Sequence, residues 1–584
     1  MIKYVAVLFI ALAPSVRAQR ATDVAVLLDS VVPAAMRAEQ IPGAVVSVVS
    51  AGRVIFVRGY GFADLDTRRA MTESTIVRIG STSKVMTAVA VAQLVDRGRI
   101  RLDADVNQYL KDVKVPKNFG APITPWHLLT HTAALDEIRP GTQAETREKV
   151  QPLRDFLRPR LVRYAPPGVA TAYSTYGMTL AGLLVEDASG QPFEAYLVQN
   201  VWRPLGMSHT SIYVPDSQRD LVAVPYDVDS GKPVRAPWEW YHTTPASSVN
   251  STASDMAKFM IAQLSGRSAI MSERMTREMQ REQITMHPML PGYGLGWQQL
   301  QRANGERGVQ HGGDVAGFSS LMTLLPAHNF GIFVAGHREG SDLRFTVTRA
   351  VVDRFFPVRS ALGAPASMHP SRAVAAREAR RYAGHYRANI VCHTCASPME
   401  VAEVDVVAND DGTLSAFGRR FLEVSPRFFR SEDGERRFGF REDSAGRITH
   451  LTMGSWQVME RVESPRLRGE IQAVNDSMVA AFNAGDMKAV SRFYTDDARM
   501  DGKGGVLVQG REALDNFWSG LRNPKSWKLE VLEVGGHPDY PYQIGRSTLV
   551  TGSPTGDRTS IVEFLGLWRR QADGTLRLAV DYYR

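Results

Sequence analysis

The sequence predicts a multidomain protein. A large α/β (α+β) sandwich on an antiparallel sheet comes first, then a small all-β barrel-like domain, then an α+β module. Three observations carry this prediction. The chain has 584 residues, about twice the length at which one hydrophobic core stops growing. Residues 22–356 carry β-rich runs at both ends with helical periodicity between them, the pattern of a sheet closed by the chain's two ends and covered by helices. Residues 381–463 are short alternating runs cut by turn signals, and residues 468–584 pass from helical periodicity to strands.

Taken in order, residues 1–18 read as a signal peptide. Lys3 supplies a basic start, Tyr4 to Ala13 an apolar stretch, and Val16-Arg17-Ala18 a small-residue cleavage site. About ten apolar residues cannot cross a bilayer as a helix, which needs about twenty. Cleavage and a periplasmic or secreted location are therefore expected, with no transmembrane segment left behind. Asp23 to Glu39 has helical spacing of Val26, Leu27, Val31 and Met36, and Ala44–Ser50 and Val54–Tyr60 form a hairpin about Ala51-Gly52. A helix is predicted from Ser81, with Val85, Met86, Val89, Ala90 and Leu94 at helical intervals and Gly98 as its C-terminal stop. Strands follow at Ser319–Leu325 and Gly331–Ala335. Residues 357–380 form the expected linker, rich in Ser, Ala, Gly and Pro at its start. Asp411-Gly412, Asp433-Gly434 and Ser444-Ala445-Gly446 mark hairpin turns of the β-domain. Beyond Ser464-Pro465, helices are predicted at Glu470–Ala484, Met487–Tyr494 and Arg511–Leu521, then several strands.

Composition narrows the function classes. The formal charge of +8 is spread along the chain without a run of five or six basic residues, so no nucleic-acid partner is expected. The two cysteines, in Cys392-His393-Thr394-Cys395, read as a local disulfide in an oxidising compartment or as half a zinc knuckle. Only His385 stands near enough to add a ligand to that knuckle, and no cofactor or metal is expected.

Gly80-Ser81-Thr82-Ser83-Lys84 is the most informative run. A serine hydroxyl is a poor nucleophile until a base takes its proton. Residues three apart on a helix share a face, so Lys84 reaches Ser81. A lysine screened from water gives up its own proton more readily than a free one. Ser-x-x-Lys alone recurs by chance, so its weight comes from the runs around it.

Those runs are Gly59-Tyr60-Gly61, Leu102 to Val106 with Tyr109-Leu110, Leu128-Leu129-Thr130-His131-Thr132 and Pro166-Pro167-Gly168. After them come Tyr173-Ser174-Thr175, Pro204-Leu205-Gly206-Met207, Ser251 to Asp255, Tyr293-Gly294-Leu295-Gly296-Trp297 and His311-Gly312-Gly313. In this order they resemble the serine β-lactamase and penicillin-binding-protein superfamily, nearest its class C, D-alanyl-D-alanine carboxypeptidase and esterase branch, over roughly residues 25–355. The resemblance implies an acyl-enzyme on Ser81, proton transfer shared by Lys84 and Tyr173, and His311 in the third motif where many relatives carry lysine. It also implies an oxyanion hole from the N–H groups of Ser81 and Asp314, with Gly313 beside them, and a small-molecule or peptidoglycan-like acyl substrate. A tyrosine ionises near 10, so two adjacent cations are needed to make Tyr173 a base; at its ordinary value of about 6.5, His311 is partly charged.

One departure stands in the second motif, where Thr175 replaces asparagine. Its single hydroxyl is expected to bond Lys84 but not also a substrate amide, which weakens β-lactam or peptide turnover more than ester cleavage. The alternative reading is a catalytically weak, penicillin-recognising scaffold assembled through its C-terminal domain. By the same resemblance His131 is structural, and Glu186 and Asp187 read as a solvated helix face. Residues 381–463 resemble a lipocalin-like domain on Tyr382-Ala383-Gly384-His385-Tyr386, Asp411-Gly412-Thr413-Leu414 and Met459-Glu460-Arg461. Residues 468–584 resemble a cone-shaped SnoaL-like domain of the nuclear transport factor two-like superfamily. Ala481 to Asp486, Tyr494 to Ala498, Gly510 to Ala513 and Phe517-Trp518 carry that likeness. The fold frequently dimerises, so a homodimer through this domain is expected, and Tyr494, Asp497 and Trp518 are candidates to line its pocket.

Overall fold

The computed structural model describes residues 13–265, 269–302, 305–357, 365–395, 401–501, 507–537, 539–554 and 556–583. Most of the expected leader, residues 1–12, lies outside them. Helix α1 (Ala13–Glu39) leads into the hairpin β1 (Gly43–Ser50) and β2 (Arg53–Asp64), followed by β3 (Arg69–Ala70). Helix α2 (Ser83–Asp96), α3 (Thr175–Ser189) and α4 (Ala253–Leu264) lie in the middle of the chain. Strands β4 (Gln298–Gln301), β5 (Arg307–Val315), β6 (Phe318–Leu325) and β7 (Phe330–His337) precede α5 (Leu343–Phe355). They form a seven-stranded sheet ordered β4-β5-β6-β7-β1-β2-β3, in which the strand nearest the chain's end pairs antiparallel with the first, Val46 opposite Val334.

The period of two along β1 explains the two layers. Val45 and Val49 join the core shared with α2, α3 and α4, whereas Ala44, Val46 and Val48 pack with Val24, Leu28 and Val32 of α1 and Val347 and Val351 of α5. A β1 buried on both faces reads as a continuous apolar run, and Gly43-Ala44-Val45-Val46-Ser47-Val48-Val49 is one. Helix α2 is buried at every residue from Ser83 to Leu94, so it is a central helix rather than an amphipathic surface one. It begins two residues later than predicted: Gly80–Thr82 is a separate 3₁₀ turn, closed by Thr82 N–H to Ile79 C=O at 3.2 Å.

Residues 390–400 and 453–458 belong by their contacts to the same compact unit as residues 1–363. Cys392 and Cys395 form a disulfide there. His393 and Thr394 donate their backbone N–H groups to the buried Asp136 carboxylate at 2.7 and 3.0 Å.

The second unit comprises residues 364–389, 401–452 and 459–584. Helix α6 (Arg372–Tyr382) occupies part of the segment whose composition suggests a linker. Ser371 caps it, accepting from Val374 N–H, and Ala375, Ala379 and Tyr382 are buried along one stripe, a spacing the polar and small residues around them obscure. An eight-stranded closed antiparallel barrel follows, from Gly384–Ala388 to Val458–Val462, with the three turn signals at hairpin tips. Closure leaves no sheet edge to protect. The C-terminal module packs α7 (Pro465–Asn483), α8 (Met487–Arg492) and α9 (Arg511–Ser519) with a six-stranded sheet. Tyr494, Ala498 and Met500 of its strand Tyr494–Asp501 are buried, whereas Asp497 has the opposite parity. Its carboxylate is exposed and pairs with Arg569 at 3.0 Å, so it does not face the interior of the module.

Candidate active site

Ser81 sits in the 3₁₀ turn before α2, pressed against strand β5. Gly80 has φ of +53°, and a β-carbon on it would stand 2.7 Å from the Asp314 backbone nitrogen. A β-carbon on Gly313 would meet Ile79 O at 2.0 Å and Ser81 N at 2.8 Å. Only glycine permits this approach of turn to strand at both positions. The contact is locked by Ser320 Oγ donating to Ile79 C=O at 2.8 Å and by Arg344 Nη1 donating to Gly313 C=O at 2.6 Å. The Asp314 side chain is held by Arg344 Nη2 at 2.9 Å and Gly340 N–H at 2.9 Å, which leaves its backbone beside Ser81.

Lys84, one turn on, is 1% exposed. Its Nζ lies 2.9 Å from Ser81 Oγ and donates to the Ala246 carbonyl at 3.0 Å. Burial pulls its pKa down from 10.5 to about 7, against the attraction of Glu137. The ammonium also stands 4.8 Å from the Tyr173 ring centre. Tyr173 shares a hydrogen bond with Ser81, and burial pushes its phenol above the ordinary value. Thus Ser81, Lys84 and Tyr173 are brought together at one point.

Three expectations are corrected here. His311 is 1% exposed, and burial followed by repulsion from Lys84 drops its pKa to about 3. It is a neutral imidazole, with Nδ1 2.7 Å from Gly312 C=O, not a partly charged one. Without that second cation Tyr173 is held protonated. Thr175, at the first turn of α3, lines the cleft but makes no hydrogen bond to Lys84, whose second partner is Ala246 C=O instead. Glu186 and Asp187 are no solvated face either. Asp187 is buried, paired with Arg154 at 3.1 Å and accepting from Lys111 N–H, and Glu186 accepts from Phe193 N–H.

His131 supports the site from behind. Its ring packs 4.6 Å from that of Tyr173, and its Nδ1 accepts from Ser174 N–H at 3.0 Å. Glu137, which no motif singled out, is the other buttress: its buried carboxyl accepts from Ser174 Oγ at 2.7 Å and Tyr176 N–H at 3.1 Å. No spacing rule marks it, because its partners are brought to it by the fold. The cleft at Ser81 encloses about 600 Å³. Arg139 and Gln310 line it, as do Ile390 and Trp456 from the short segments that complete this unit.

Comparison with known proteins fits this geometry. The Beta-lactamase family model matches residues 28–354 and the SnoaL-like domain model residues 476–578. The chain is 29% identical over 330 residues to the D-alanyl-D-alanine-carboxypeptidase/endopeptidase AmpH of Escherichia coli K12, covering 54% of this chain and 81% of AmpH. It is 33% identical over 215 residues to a Beta-lactamase of Pseudomonas fluorescens, 37% of this chain and 58% of that one. Its match to the Protein flp of Staphylococcus aureus N315 is 26% over 311 residues, 53% of this chain and 62% of that protein's length, under two thirds. Two solved structures share the fold. They are the octameric penicillin-binding protein homologue from Pyrococcus abyssi (21% identity, TM-score 0.52, 75% of this chain and all of that one) and EstCE1, a hydrolase with promiscuous acyltransferase activity (20%, 0.51, 57% and 99%). With the matched segment spanning more than half its residues and holding Ser81, Lys84 and Tyr173, this chain belongs to the Beta-lactamase family of serine hydrolases and carries a SnoaL-like domain behind it.

Proposed function

We propose that the chain is an exported serine hydrolase that forms an acyl-enzyme through Ser81. The observation that carries this is the 2.9 Å approach of a buried lysine, poised near neutrality, to the Ser81 hydroxyl. In its neutral form Lys84 takes the Ser81 proton as Oγ bonds to the substrate carbonyl carbon. The oxyanion is received by the N–H groups of Ser81 and Asp314. Tyr173, kept protonated, hands its phenolic proton to the leaving group and is reprotonated from Lys84. Water then attacks the acyl carbonyl, its proton passes to Lys84, and Lys84 returns that proton to Ser81 Oγ as the bond between Oγ and the acyl carbon breaks. Neutral His311 gives no charge for a substrate carboxylate, and Thr175 supplies no amide. Both features favour an ester over a β-lactam or a D-amino-acid peptide.

Intact-mass analysis after incubation with a fluorophosphonate tests the nucleophile: one adduct on the wild type and none on Ser81→Ala is the expected result. A chromogenic acyl ester is expected to turn over faster than a chromogenic cephalosporin. Equal ester rates for wild type and Ser81→Ala would defeat the proposal. Labelling of Ser81 without turnover of either substrate would instead favour the binding and scaffold reading, which the loss of an asparagine at Thr175 supports.

A further inference from the structure

The cleft at Ser81 has apolar lining that the proton transfers do not use. In the unit made of residues 1–363, 390–400 and 453–458, the large aromatic side chains left exposed among the described residues are Phe119, Phe345 and Trp456. Two of these three, Phe345 and Trp456, line the cleft, and the half-buried Ile390 lines it with them. Trp456 is 47% exposed on a short turn closed by Met453 N–H to Gln457 C=O at 3.0 Å, a setting usually given to small or polar residues. One exposed apolar side chain signifies nothing, but three brought to a single cleft by three separate segments mark a contact surface.

This lining is fixed in advance. Two residues beyond Ile390 begins the Cys392–Cys395 disulfide loop, whose His393 and Thr394 N–H groups are held by the buried Asp136 carboxylate at 2.7 and 3.0 Å. The His393 ring stacks on that of Tyr164 at 3.6 Å and 8°. Asp136 directly precedes Glu137, the acceptor for Ser174 Oγ and Tyr176 N–H beside Tyr173. One short stretch therefore anchors both the loop behind Ile390 and the proton-transfer residues, and ordering the wall costs a substrate little. We propose that Trp456, Phe345 and Ile390 form a subsite for an apolar group of the substrate, so that the chain acts on lipophilic esters in preference to small ones. The subsite rests on the reading of Ser81 as the acylated nucleophile. The apolar group belongs either to the acid or to the alcohol of the ester, and the two are separated by experiment.

Hydrolysis by the full-length protein is followed in a pH-stat with ethyl acetate, ethyl hexanoate and hexyl acetate. One of the two longer esters is expected to exceed ethyl acetate in kcat/KM by about tenfold or more, the effect of four methylene groups about half removed from water. Preference for the hexanoate places the subsite on the acyl side, and preference for the hexyl ester places it on the alcohol side. Trp456→Ala is expected to lower the long-to-short ratio at least about threefold, and Trp456→Phe to keep most of it. A ratio is independent of how much of each variant is folded. Equal kcat/KM for all three esters, with hydrolysis abolished in Ser81→Ala, overturns the subsite and leaves the nucleophile standing. Hydrolysis that persists unchanged in Ser81→Ala overturns the nucleophile and the subsite with it. A ratio unaltered by Trp456→Ala overturns the assignment to this wall, and failure of the wild type on all three esters overturns the substrate class.

Discussion

Replacing Lys84 by methionine separates stability from catalysis. The lysine titrates at about 7 in the folded protein against 10.5 for a free one. In the unfolded chain it stays protonated up to its ordinary value. Below pH 7 both states are protonated, and the native state carries the full penalty of a buried cation, on the order of 5 kcal/mol at about 1.4 kcal/mol per pH unit. Between pH 7 and 10.5 the unfolded state binds more protons, so wild-type stability rises with pH as the penalty is shed. Methionine fills nearly the same volume without charge. It leaves the Ala246 carbonyl and the Ser81 hydroxyl without their partner, which costs about 1–3 kcal/mol. The expected net is a variant more stable than wild type by about 2–4 kcal/mol at pH 6, with an advantage that is lost and then reversed by about pH 10. Urea unfolding of both proteins at pH 6, 8 and 9.5 reads this directly. Stopped-flow acylation by a p-nitrophenyl ester should meanwhile fall about 10³-fold or more, while the wild-type rate rises with pH through an inflection near 7. A variant less stable than wild type by the same amount at every pH would refute the reasoning, because it would mean that the buried lysine carries no charge penalty.

Three further outcomes are expected. Tyr173→Phe removes the phenolic proton but keeps the ring against His131; acylation should drop about 10²–10³-fold with the melting temperature shifted by no more than a few degrees, as single-turnover kinetics and calorimetry would record. Thr175→Asn returns an amide to the cleft, so acylation by a cephalosporin should rise several-fold while ester turnover changes less than about threefold; a fall in both would show that Thr175 has a positive role. Asp136→Ala strips the acceptor from two loop N–H groups beside the Cys392–Cys395 disulfide and should destabilise this unit by about 1–3 kcal/mol at pH 7. Burial opposes ionisation of that carboxyl, but hydrogen bonds from His393 and Thr394 win and hold it at about 2. The stabilisation is therefore present above the ordinary value of 3.8, and the gap between variant and wild type should close only as pH falls through about 2.

The sequence by itself determined the order of the three architectures, the hairpin about Ala51-Gly52, the turns of the barrel, and the reach of Lys84 to Ser81. These follow from local rules: periodicity of 2 or 3.6, turn chemistry, and a spacing of three on a helix. The charge states were decided by the tertiary structure alone. His311 is neutral because β5 places it in the core beside Lys84, and Lys84 is poised because Ala246 and the walls around it exclude water. The same holds for Glu137 beneath Ser174 and for the missing Thr175–Lys84 bond. Burial and long-range hydrogen bonds depend on elements tens to hundreds of residues apart. No pattern within one segment encodes what will be packed against it.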